Sequence, residues 1–283
     1  MRIHWYPGHM AKAKRLIAES LKMVDMVIEL LDARIPRSST NPDFEAMFAD
    51  KIKIVVLNKK DYSDAEVSKA WLSWFETLGV RAIMLNSLDR SDIRKLKELI
   101  FALAENKRNE IKQKKGINKT IRAMVIGIPN VGKSTLINSL AGSAKTKTGD
   151  RPGVTKAKQW VRIHPFVELL DTPGLLWPRL DDERTALHLA YTGAIKEEIL
   201  DVEEIAHFLL EELKASYPDA LKARYFLEDL QGNGLEILER ICIRRGWLQS
   251  EGLPDTQRGA KQVLDEFKSG KLGPMSLEYP PEA

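Results

Sequence analysis

Apolar residues along the chain follow two rhythms, and the change from one to the other divides it. Up to about residue 180, short unbroken apolar runs alternate with stretches of helical spacing. The runs MVIELLDA at 26–33, IKIVVLN at 52–58, RAIMLN at 81–86 and IRAMVIG at 121–127 are of the kind produced by strands buried on both faces of a parallel sheet. Between them, Val67, Trp71, Leu72, Trp74 and Phe75 form one helical face that Gly79 terminates, and Ile93, Leu96, Leu99, Ile100 and Leu103 form another over 91–104. Leu16, Ile17, Leu21 and Val24 predict an earlier helix, with Lys12, Lys14, Arg15 and Lys22 on its solvated side. Residues 105–122 are rich in Lys, Asn and Gln without an apolar stripe and read as a helix tail and polar connector. A helix at 133–140 and short strands at 160–163 and 167–170 continue the repeated βαβ pattern.

Beyond residue 180 the strand signals stop. Val202, Ile205, Ala206, Leu209, Leu210 and Leu213 share one helical face, a helix begins near Pro218, and Asn233 with Glu236 can form a capping box. The expected organisation is an α/β domain at 1–180, with an N-terminal extension at 1–25, followed by an all-α domain at 181–283. A chain of 283 residues, 43% hydrophobic and 30% charged, has room for both.

A net charge of +4 is only mildly basic, so any nucleic-acid footprint has to come from local clustering. The single cysteine, Cys242, excludes an intramolecular disulfide and an all-cysteine metal site, fits a reducing compartment, and reads as core within LEILERICIRR. No apolar run approaches the roughly 20 residues that span a bilayer, and the first residues lack the apolar centre of a signal peptide. The expectation is a soluble cytoplasmic protein without a membrane partner.

The chemistry enters with GIPNVGKST at 127–135. Gly127, Gly132, Lys133 and Ser134 have phosphate-loop spacing between an apolar strand and a helix, with Pro129, Asn130 and Val131 inside the loop and Thr135 just after it. Backbone N–H groups of such a loop wrap the β-phosphate, Lys133 would bridge β- and γ-oxygens, and the Ser134 hydroxyl would ligate Mg2+. Asp171 ends the run VELL and opens DTPG, where a carboxylate holds magnesium through water and the Gly174 N–H meets the γ-phosphate. Thr155, in DRPGVTK between these motifs, is the candidate mobile threonine that completes the magnesium shell.

The base is read by NKKD at 58–61. Asp61 can accept from the N1–H and exocyclic amine of guanine, donors that adenine lacks, so the wrong base would leave a carboxylate unpaired. Asn58 would brace the loops, the stem of Lys59 would cover the base, and Asn86 with Ser87 occupy the place of a second base loop. The guanine motif therefore precedes the phosphate loop, the order of a circularly permuted Ras-like GTPase. GTP and GDP are the expected ligands. A small-molecule kinase would have no use for NKKD.

These motifs in this order, preceded by WYPGHM and DARIPRSSTNP, resemble the circularly permuted GTPases, closest to the ribosome-biogenesis GTPase A family. The resemblance spans almost the whole chain, with its most specific motifs in 1–180. It implies a cytoplasmic GTPase acting late in large ribosomal subunit assembly, whose helical domain contacts ribosomal RNA and protein; a monomer stimulated by its ribosomal partner is the accompanying expectation. It marks His9, in GHM, as catalytic. Residue type alone would make a histidine beside a turn structural. It also gives Asn130 a K+ ligand role, and it turns Arg240, Arg244, Arg245 and Arg258, with Trp247, from a solvated face into RNA contacts. Where Ras-like enzymes carry a water-orienting glutamine, this chain has Leu175. A GTP-dependent RNA-binding checkpoint module with negligible turnover is the alternative that Leu175 keeps open.

Overall fold

A computed structural model describes residues 15, 18–41, 47–48, 50–142, 159–171, 182–195 and 201–281. Six strands, β1 (Met26–Asp32), β2 (Ile52–Asn58), β3 (Arg81–Leu85), β4 (Ile121–Gly127), β5 (Gln159–His164) and β6 (Val167–Asp171), form one sheet in the order β3-β2-β1-β4-β6-β5. All pairings are parallel except β5 with β6. That exception follows from connection length, because the two-residue turn at 165–166 can join only antiparallel neighbours. β1 lies at the centre and every one of its residues is buried, which explains its unbroken apolar run.

The helices are α1 (Pro36–Ser39), α2 (Ala65–Thr77), α3 (Arg90–Lys115), α4 (Lys133–Ala141), α5 (Glu183–Tyr191), α6 (Val202–Ser216), α7 (Pro218–Tyr225), α8 (Gly234–Arg245) and α9 (Thr256–Lys268). Asp64, Asp89, Asp182 and Asp201 cap α2, α3, α5 and α6 by accepting first-turn N–H groups. The capping box of Asn233 and Glu236 starts α8. No described helix is long and apolar enough to cross a membrane.

Two boundaries differ from the sequence expectation. Helix α3 runs 26 residues to Lys115, so the expected helix tail takes up 105–115 and the polar connector shrinks to 116–120. Its Lys, Glu, Arg and Gln residues are good helix formers, nothing interrupts them before Gly116 (φ 68), and three lysines in the last turn suit the helix dipole. Near the start, the helical residues end at Leu21, and Val24 lies beyond a turn although it is buried.

One apolar cluster runs from Ile28, Val125 and Leu169 of the sheet through Leu189 and Tyr191 of α5 into Leu209, Ile241 and Val263 of α6, α8 and α9, and it includes the buried Cys242. The opposite sheet face packs Leu31, Val55 and Leu57 on Val67, Trp71 and Phe75 of α2. After α9 the chain returns across the end of β1 and the start of α2. Met275 N–H donates to Tyr62 O (2.9 Å), Leu277 N–H to Arg34 O (2.9 Å), and Trp71 Nε1–H to Glu278 O (3.0 Å).

Candidate nucleotide-binding site

The phosphate loop leaves the C-terminal end of β4 and enters α4, whose N-terminal N–H groups face the space where an anion would sit. Two glycines are dictated by close approach. A Cβ at Gly127 (φ 157) would come 2.4 Å from Leu30 O of β1, and one at Gly132 (φ 101) would come 2.6 Å from Asn58 Nδ2. Lys133 folds back over the loop, donating to Ile128 O (2.7 Å) and Gly127 O (3.2 Å). Ser134 and Thr135 stand in the first turn of α4, and Pro129 and Val131 lie within the loop itself. Asn130, at φ 59, donates its Nδ2–H to Gly193 O (2.7 Å), just past α5.

Asn58 joins the guanine side to this loop. Its buried amide donates through Nδ2 to Val131 O (2.8 Å) and accepts at Oδ1 from both Ser87 N–H (3.1 Å) and Ser87 Oγ–H (2.8 Å). Three separate sequence motifs thus meet on one side chain. Asp61 is exposed in the 3-10 turn Lys60–Tyr62. Lys60 Nζ lies 2.6 Å from the Asp92 carboxylate. That carboxylate accepts the Asn86 N–H (2.9 Å), so the loop after β3 is held beside NKKD.

Asp171 ends β6 in register with Val125, on the strand next to the phosphate loop. His9, Thr155, Gly174 and Leu175 lie outside the described residues.

A charged knot adjoins Lys59 that the motif reading left without a role. Asp32, at the end of β1, receives Arg34 Nε (2.9 Å) and Nη2 (2.8 Å) and lies 3.0 Å from Lys59 Nζ. Burial alone would raise the Asp32 carboxyl, but Arg34 and then Lys59 hold it well below the usual carboxylate range. The signal available in the sequence was Asp-Ala-Arg at the end of a fully buried strand, where unpaired charge is costly.

In the helical region, Arg240 pairs with Asp229 (3.1 Å) and Arg244 with Glu228 (2.6 Å). Arg245 lies over the rings of Tyr225 and Phe226. Trp247 is half-buried against the core.

A parallel sheet with a phosphate loop at its centre, and guanine loops that come earlier in the chain yet pack against it, defines a phosphate-loop GTPase of permuted order. A ribosome biogenesis GTPase A from Bacillus pumilus is 44% identical over 99% of each chain, and one from Thermotoga maritima is 31% identical over 98% of this chain and 94% of its own. The chain belongs to the ribosome biogenesis GTPase A family. The family model described as 50S ribosome-binding GTPase matches residues 122–225. The bovine mitochondrial ribosome-associated GTPase 1 is 32% identical over 97% of this chain and 88% of its own. Among solved structures, GNP-bound YlqF from T. maritima superposes with a TM-score of 0.70 at 28% identity, covering 96% of this chain and all of that one. Membership carries with it the binding of GTP and GDP and the hydrolysis of GTP.

Proposed function

We propose that this GTPase is a ribosome assembly factor that binds a late large-subunit precursor in its GTP state and leaves it after hydrolysis. The observation that carries the switch is the Asn130 bond to Gly193 O, which ties the phosphate loop to the start of the helical region. The relatives' names supply the ribosomal partner.

In this reading 1–180 is the catalytic domain and 181–283 the RNA- and protein-contacting one, in a monomeric cytoplasmic protein. Asp61 reads guanine, Asn58 and Ser87 hold the base loops, and Lys133 with the N–H groups of 129–135 hold the phosphates. Ser134, Thr155 and Asp171 are hard oxygen donors, and the positions of Ser134 and Asp171 beside the loop suit magnesium. Magnesium held by Ser134 and Thr155, and by Asp171 through water, would neutralise charge developing on the phosphates. Asn130 would offer its amide oxygen to potassium. Leu175 can neither move a proton nor orient water; the family resemblance gives the orienting role to His9, with turnover stimulated by the partner. Arg240, Arg244, Arg245 and Arg258 would meet RNA phosphates.

The test is co-sedimentation with large-subunit precursors at fixed salt. Affinity is expected to be about tenfold or more higher with a nonhydrolysable GTP analogue than with GDP. Equal affinities reject the switch. Leu175 favours one second reading, a GTP-dependent RNA-binding checkpoint with negligible turnover. Hydrolysis that stays unstimulated on the precursor would select it.

A further inference from the structure

The turn DARIPRSS holds the most deeply buried charges beside the guanine motif, in the side chains of Asp32 and Arg34. Asp32 and Asn58 are register partners at the ends of the adjacent strands β1 and β2, so the Asp32 carboxylate and Lys59 emerge side by side. Asp32 and Arg34 side chains are each 1% exposed. One arginine already neutralises the carboxylate through two hydrogen bonds, Nε to Oδ1 and Nη2 to Oδ2. A second cation drawn to the same buried anion adds desolvation cost without being needed for neutrality. Lys59 is there all the same, with Nζ 3.0 Å from Oδ2 and its backbone in the left-handed region at φ 61. That combination fixes both ends of the lysine, and with them the aliphatic stem between.

Arg34 is itself held from the helical region. Its Nη1 donates to Phe267 O of α9 (2.7 Å), and its guanidinium lies over the rings of Phe267 (4.9 Å) and Tyr62 (5.6 Å). Tyr62 is the residue directly after Asp61. The knot therefore touches the guanine motif at Lys59, the residue just after that motif at Tyr62, and the α9 backbone at Phe267.

We propose that Asp32 is a positioning residue of the guanine site, fixing Lys59 in its base-covering pose, and that Arg34 fixes Asp32 in turn by bridging to the α9 backbone. The proposal rests on the guanine reading of NKKD. Base affinity then depends on α9 being docked, which connects the helical region to the base side of the site as well as to the phosphate loop.

A double-mutant cycle tests it, with a fluorescent GDP analogue as the probe and full-length protein throughout. Lys59→Met keeps the stem and removes the ammonium, and Asp32→Asn removes the anchor. Each is expected to weaken GDP binding by about tenfold, with the double variant no weaker than the poorer single one. Losses that multiply would give Asp32 a general structural role and overturn the proposal, as would undiminished GDP affinity in Lys59→Met. Should Asp32→Asn fail to fold, Asp32→Glu replaces it, retaining the charge but displacing it by a methylene. It is expected to weaken GDP binding beside Lys59 and to have no effect beside Lys59→Met, and an equal effect in both backgrounds overturns the proposal. Competition by ADP on the unmodified protein separates the two levels. Equal preference for ADP and GDP would remove the guanine reading itself, whereas a GDP preference with a multiplicative cycle removes only the role of Asp32.

Discussion

Asn58 is one amide that answers to two loops, and its substitution has a calculable outcome. Asn58→Ala leaves Val131 O and the Ser87 N–H without their partner in a buried place. Each orphaned group costs about 1–3 kcal/mol, and about 1.4 kcal/mol is a factor of ten in binding. With two groups orphaned, GDP affinity measured by calorimetry is expected to fall about thirtyfold or more while the far-ultraviolet circular dichroism is retained. At this scale the sequence is readable where chemistry repeats a spacing, as in the phosphate loop and NKKD. It is not readable where a side chain's partner is remote. Arg34 meets Phe267 O across a separation of 233 residues, and no local pattern points from one to the other.

Between elements, the notable joint is the one that α5 makes with α6, α1 and the 275–278 segment through His188. His188 is fully buried, with Nδ1 2.8 Å from Glu278 Oε1 and Nε2 3.0 Å from Glu212 Oε2. Glu278 also accepts the Ser38 N–H and hydroxyl of α1, and the Tyr191 hydroxyl donates to Glu212. Burial works to lower the imidazole, but the hydrogen bonds to Glu212 and Glu278 outweigh it, so the folded protein holds the proton above the ordinary value of 6.5. Because the folded value is the raised one, this contribution to stability is complete below pH 6.5 and is lost as pH rises through the folded value. Thermal unfolding is therefore expected at a lower temperature near pH 9 than near pH 6, and His188→Gln should flatten that difference.

Element identities were largely visible beforehand, since β1, β2 and β4 are apolar runs because both their faces are covered. How far the tail of α3 runs was not readable because periodicity reports burial, and between Glu105 and Lys115 Ile111 is the apolar residue that packs on the core, and that partly. Helix propensity without an apolar stripe leaves no rhythm to read.

For the molecule as a whole, the return of the chain over the C-terminal ends of β1 and β2 binds the helical region to the half that carries NKKD. Met275 and Leu277 are 1% and 5% exposed there. Burying each contributes about 1.5–3 kcal/mol, so a chain stopped after Gly273 should lose about 3–6 kcal/mol, before the lost bonds of Ser276 and Glu278 are counted. Set against the 5–15 kcal/mol typical of a whole domain, urea denaturation of that variant is expected to show a much lower midpoint. A midpoint within experimental error of the full chain would show that the segment is only draped over the surface. The composition of 271–281 gives no hint of this role, since three prolines and one glycine leave neither a helical nor a strand rhythm to read.

The same return sets a clock on biosynthesis. Asp64 N–H waits for the hydroxyl of Ser276, 212 residues further along the chain. At 5–20 residues per second the ribosome takes roughly 10–40 s to make that distance. Through that interval the nascent sheet carries Arg34 without the Phe267 carbonyl and Trp71 without the carbonyl of Glu278. The half of this GTPase that carries NKKD is thus translated first and finished last.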